Sequence, residues 1–166
     1  MKHACFKNIP LDGSYENFCQ QLFQLGFTHE EGDNFLTGKF ANELVCVNVS
    51  CTPKSNLVYS VIIRFREIDL WDTLKDEYLR FKELYRKKYG EPEIEIEEFI
   101  YPYVEGDGNE LLATYNSHCN YITSYLIPGG IAALTLENKR LALLIKDDIN
   151  SKIEEKEDEE VAYDDI

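Results

Sequence analysis

Apolar residues recur at intervals of three and four in two stretches of the chain and at intervals of two through most of the rest. The first helical stretch follows Ser14: Tyr15, Phe18, Cys19, Leu22 and Leu25 line one face, and Gly26 stands where a left-handed residue ends a helix. The second runs from about Asp69 to Tyr89. Trp71, Leu74, Tyr78, Phe81 and Tyr85 form its apolar stripe, Lys75, Asp76, Arg80, Lys82, Glu83 and Lys87 its polar face, and Gly90 with Pro92 stops it. At 1.5 Å per residue such a helix is roughly 30 Å long, enough to lie across a sheet.

The remainder alternates. His3 to Ile9 reads as a short strand closed by Pro10 and the Asp12-Gly13 turn, and Asn34–Phe40, Glu43–Cys51 and Leu57–Arg66 read as three more. In the run from Glu43, the residues Val45, Val47, Val49 and Cys51 share one face while Cys46, Asn48 and Ser50 share the other. The joints Ala41-Asn42 and Pro53 to Asn56 are short, which predicts an antiparallel meander. Beyond the long helix, strands are predicted at Ile94–Val104, Leu111–Tyr115, Asn120–Ile127, Ile131–Leu136 and Leu141–Lys146. Turn chemistry separates them at Gly106 to Asn109, Pro128 to Gly130 and Asn138-Lys139. Helices beside antiparallel strands, without βαβ alternation, predict an α+β fold of antiparallel sheet packed against two helices. Helix then strands occurs twice, with Gly26-Phe27 and Tyr89-Gly90 in analogous places, so two helix-plus-meander halves stand as an alternative. Residues 1–150 are expected to form a single α+β domain and residues 151–166 an acidic C-terminal tail. Either a short docking helix or a flexible end fits that tail.

Charge changes this picture by its placement. The chain carries 17 basic against 31 acidic residues, a net charge of -14. Ten of the acids fall between Asp147 and Ile166, where only Lys152 and Lys156 oppose them. Phosphate backbones and anionic membranes are bound through Lys and Arg, so nucleic acid is not an expected partner and a basic protein is the electrostatically allowed one. A solvated acidic end that aids solubility is the plainer reading of the tail. No uninterrupted apolar run approaches the ~20 residues of a membrane-spanning helix. Five cysteines, Cys5, Cys19, Cys46, Cys51 and Cys119, are an odd number that cannot all pair within one chain. Free thiols, together with a polar start from Met1 to Lys7 that offers no export signal, predict a cytoplasmic location, with export the alternative if a signal peptide has been removed.

Several landmarks form a familiar series. Phe6-Lys7-Asn8-Ile9-Pro10-Leu11-Asp12-Gly13 precedes a helix ending Leu25-Gly26-Phe27; then come Leu36-Thr37-Gly38-Lys39-Phe40, and Trp71 with Tyr89-Gly90-Glu91-Pro92. In these the chain resembles an uncharacterised family of small α+β proteins common in gut bacteria, over about residues 5 to 150. The resemblance implies a fold. It implies no activity, cofactor or catalytic residue.

Candidate chemistry is sparse. His118-Cys119, near Tyr115, Asn116 and Asn120, is the best start for a thiol enzyme, but adjacent strand residues point to opposite faces and no third residue or oxyanion loop accompanies them. Cys46 and Cys51 differ in strand parity, and Asp107-Gly108-Asn109-Glu110 lacks the spaced ligands of a calcium loop, so neither metal nor cofactor is predicted. Glu93, Glu95 and Glu97 share a face beside Glu91 and Glu98, an acidic edge that repels strand addition or, less simply, a cation-binding surface. Tyr101 and Tyr103 share parity in one predicted strand, Tyr121 and Tyr125 in another. Exposed, they would make an amphipathic platform for ligand binding; covered by the long helix, they would be core with hydroxyls at its rim. The composite expectation is a non-enzymatic binding module for a small ligand or another protein. An acidic inhibitor of the immunity type that neutralises a basic partner, and a thiol-dependent enzyme around Cys119, are the alternatives.

Overall fold

The computed structural model describes residues 2–29, 32 and 34–166. The chain opens with a miniature hairpin, β1 (Cys5–Phe6) paired antiparallel with β2 (Ile9–Pro10), where a single strand was predicted. Lys7 and Asn8 both take positive φ and reverse the chain between them. Helix α1 (Tyr15–Gln24) begins at Ser14, whose hydroxyl accepts from the Asn17 N–H at 3.3 Å. It ends in a Schellman arrangement: Gly26, at φ 92°, donates to the Phe23 carbonyl and Phe27 donates to that of Leu22. The elements that follow are β3 (Thr28–His29), β4 (Leu36–Phe40), β5 (Glu43–Cys51), β6 (Val58–Arg64), α2 (Trp71–Tyr89), β7 (Ile94–Phe99), α3 (Glu110–Tyr115), β8 (Cys119–Ile127), β9 (Gly130–Glu137), β10 (Arg140–Asp147) and α4 (Asp148–Asp165).

The fold is α+β, as the patterning predicts. Strands β3 to β10 form one antiparallel sheet in the order β3-β4-β5-β6-β10-β9-β8-β7, so β3 and β7 are its edges. By contact density the chain divides into two compact units that do not follow sequential halves. The first takes residues up to Ile63 with Ile127–Ile131 and Leu144–Ile166; the second takes Arg64–Leu126 with Ala132–Leu143.

In the first unit, alternation along β5 buries Val45 and Val47 while Cys46 stays half-exposed. The Phe6 ring lies 6.2 Å from Phe27 and 5.4 Å from Phe40. Gly38 lets Phe27 approach, because a Cβ there would sit 2.4 Å from its ring. The acidic end is helical. Asp147 ends β10 and caps α4: its carboxylate, fully buried, accepts from the N–H of Asn150 at 2.8 Å, from that of Ala4 at 2.7 Å and from His3 Nδ1 at 3.0 Å. The Asn150 amide donates to the carbonyls of Leu11 and Val58, both at 2.9 Å. About two turns further on, Glu157 turns inward and accepts from the backbone N–H groups of Lys54 (3.0 Å) and Ser55 (3.2 Å). These anchors offset the repulsion of like-charged neighbours at i,i+4 such as Glu154 with Asp158 and Glu155 with Glu159.

In the second unit, α2 lays Leu74, Tyr78 and Phe81 onto the sheet, with Phe65 4.9 Å from Phe81 between ring centres. Trp71 is only half-buried, its ring edge-on to Phe99 and Tyr121. Two sequence-based expectations are corrected here. The strand predicted to reach Val104 ends at Phe99, and a cis Tyr101-Pro102 bond lies in the loop that follows. Leu111–Tyr115 is not a strand but the body of α3, whose Glu110 turns back to accept from the N–H groups of Gly106 (2.8 Å) and Gly108 (3.3 Å). A five-residue, mostly apolar run carries no period of its own, and the turn before it decides for helix.

Candidate functional site

The early end of β7 takes apart the platform of four tyrosines. Tyr101 is 90% exposed in the loop, and Tyr103 accepts from the Asn116 amide at 2.8 Å with its ring 5.4 Å from that of His118. Tyr121 and Tyr125 lie in the core of the second unit beneath α2. Their hydroxyls are used internally, that of Tyr121 donating to Glu105 at 3.3 Å and that of Tyr125 to the Lys82 carbonyl at 2.9 Å. Burial pushes both phenols up. Beside Tyr121, Lys75 holds the Glu105 carboxyl below the usual carboxylate range.

His118 and Cys119 are not an activated pair. The His118 ring bonds through Nδ1 to the Asn116 carbonyl at 2.6 Å, and burial pushes the Cys119 thiol up to about 12. A thiol with that proton affinity is almost wholly protonated at neutral pH, and nucleophilic chemistry needs the thiolate. All five cysteines are free. Among the described residues no cluster of His, Cys, Asp and Glu has the composition of a metal site, and no helix is long and apolar enough to cross a membrane.

What the second unit does display is an uncovered sheet face. Strand β7 pairs with β8 in antiparallel register from Ile94 opposite Ser124 to Phe99 opposite Cys119. Alternation sends Glu95 and Glu97 to the same side as Thr123 and Tyr121, toward α2, where the Lys82 ammonium pairs with both carboxylates. It sends Ile94, Ile96 and Glu98 to the opposite side, beside Ser124, Ile122 and Asn120. There Ile94 is 50% exposed, Ile96 36% and Leu126 56%, while Thr123 and Tyr125 on the α2 side are at most 1% exposed. The Asn120 amide donates to Glu98 at 3.3 Å, so the apolar stripe has a polar border on that side. The sequence carries this stripe in the two-residue interleaving of Ile94, Glu95, Ile96 and Glu97.

Two clefts adjoin charged surfaces. One, of about 250 Å³ in the second unit, is lined by Leu79, Pro92 and Tyr125 together with Glu83, Glu95, Lys82 and Arg86. The other, of about 460 Å³ in the first unit, is lined by Lys54 and by Lys156, Glu159, Glu160, Tyr163 and Asp164 of α4. Lys54 pairs with Glu160 at 3.1 Å and Asp164 at 3.6 Å. No family model, no curated protein and no solved structure matches the chain.

Proposed function

We propose that this chain is a non-catalytic interaction module that binds a basic protein through the uncovered face of its second unit. The observation that carries the reading is the pair of unlike faces on β7 and β8. One side is closed by α2, and the other leaves Ile94, Ile96 and Leu126 open to solvent beside Glu98. Contiguous exposed apolar residues with a polar border are the anatomy of a protein-binding patch, and the net charge of -14 selects basic partners among those that could cover it. The acidic helix α4 supports the same choice, since an ordered row of carboxylates raises the encounter rate with cationic surfaces.

The test is retention on the immobilised chain, with bound proteins identified by mass spectrometry at low and high salt, compared with an Ile96→Asp/Leu126→Asp variant. Basic proteins held at low salt, released by salt and lost from the variant are the expected result. Retention that the variant does not change would overturn the assignment of the face.

A further inference from the structure

We infer that β7 is a docking strand: an extended segment that alternates basic and apolar residues adds to the free edge of the sheet alongside Ile94–Phe99. This rests on the reading of the chain as a binder of basic proteins and specifies how such a protein is held.

The backbone supplies the first reason. Among the described residues β7 pairs with β8 alone, and it closes the strand order. In the register that places Ile94 opposite Ser124, the Ile100 N–H donates to the His118 carbonyl at 2.7 Å. Antiparallel alternation then turns the N–H and C=O of Ile94, Ile96 and Glu98 toward β8 and those of Glu95, Glu97 and Phe99 away from it. Residues 94 to 98 are all exposed, and Phe99 at the end of that outward row is half-buried. An edge strand with free donors and acceptors is a template for strand addition.

Side chains fix the chemistry of the occupant. On the α2 side an added strand meets Glu95 and Glu97, which share one ammonium, Lys82, and leave a negative charge over. Beside Glu95 the cleft lined by Leu79, Pro92 and Tyr125 can take the aliphatic stem of a long side chain; its charged lining, Glu83 and Glu95 with Lys82 and Arg86, is balanced, so the preference for a basic occupant comes from Glu95 and Glu97 along the edge. On the other side the added strand meets Ile94 and Ile96, which call for apolar partners. A second copy of the chain is the wrong occupant. Self-pairing centred on Glu95, Ile96 or Glu97 sets carboxylate directly against carboxylate, a destabilising cross-strand pair. The acids therefore exclude the chain's own edge and admit a strand with lysine or arginine at every second position.

The probe is the end-blocked heptapeptide Lys-Val-Lys-Ile-Lys-Val-Lys, with a control of the same composition in which the four lysines are consecutive. Amide hydrogen exchange of the full-length protein is read with and without each. The alternating peptide should slow exchange at Glu95, Glu97 and Phe99 by about tenfold or more and leave Ile94 and Ile96 unchanged; the control should do neither. Glu97→Pro removes an outward N–H that no bond within the sheet uses, so it should abolish this protection, whereas Glu97→Gln should weaken binding only a few-fold. Should Glu97→Pro disturb the fold, Glu95→Lys with Glu97→Lys tests the same point by inverting the preference toward an acidic alternating peptide. Binding that leaves the exchange of Glu95 and Glu97 unchanged, equal binding of both peptides, or no binding overturns the docking strand. Retention of basic proteins by the Glu97→Pro chain would do so while sparing the broader reading.

Discussion

The hydroxyl of Tyr78 on α2 is hydrogen-bonded to that of Thr123 on β8, and neither residue has any exposure to solvent. Burial pushes the phenol up, so the pair is neutral at physiological pH. Tyr78→Phe strands the threonine hydroxyl in the core and should cost about 1 to 3 kcal/mol in a urea melt; Thr123→Val should cost a similar amount. The double variant should lose clearly less than the sum, because it leaves no unpaired group behind.

The stripe of α2 predicts a gradient along the helix. Phe81, 2% exposed, should lose about 3 to 5 kcal/mol on substitution by alanine. Trp71 is half-exposed and should lose distinctly less, although its ring is larger. Equal losses in a chemical melt would mean that the first turn is held more tightly than its exposure indicates.

Thiol reactivity should follow burial. Denatured, unreduced protein should take up five equivalents of a thiol reagent, since all five cysteines are free. In the native protein at pH 7.5 Cys5, the exposed one, should react first. Cys51, pushed up to about 11 by burial, and Cys119, pushed up to about 12, should lag far behind. Fast labelling of Cys119 would reopen a catalytic reading of His118-Cys119.

The tail should behave as a structural helix with one inward carboxylate. Hydrogen bonds from Ser55, and from the Lys54 and Ser55 backbone, hold Glu157 below the usual carboxylate range. The native state therefore binds fewer protons here than the unfolded chain. The stabilisation is present above the ordinary value near 4.5 and is lost as pH falls from there through the lowered native value. Glu157→Gln should lower the melting temperature at pH 7 and flatten its fall between pH 5 and 3, whereas Glu155→Gln, on the exposed side, should do neither. Truncation after Ile153 should lower it at least as much as Glu157→Gln.

Much of the fold was legible because local signals and long-range packing agree. Ser14, Gly26 and the spacing of Phe18, Cys19 and Leu22 fix α1 by themselves, and the alternation of Val45 and Val47 fixes the buried side of β5. The central pairing of β6 with β10 was not legible. It joins segments about eighty residues apart, and nothing in either names the other. Leu111–Tyr115 misled because so short a run, apolar but for Thr114, suits a strand or a helix equally, and the Gly106 to Asn109 turn that settles it is stabilised from within the helix by Glu110. The open face escaped for a different reason. Ile94 and Ile96 alternate with glutamates, and nothing in the sequence tells which side of the sheet α2 covers.

Strand β10 passes into α4 with no residue between them, Asp147 serving as the last of one and the cap of the other. A hinge needs at least one dihedral pair free to rotate, and here the nearest ones are clamped by bonds from Ala4, His3 and Asn150. The helix therefore keeps one bearing relative to its strand. Apart from the inward Glu157, the carboxylates from Glu154 to Asp165 are held along one helix rather than on a free end, and an approaching cation meets a directional field.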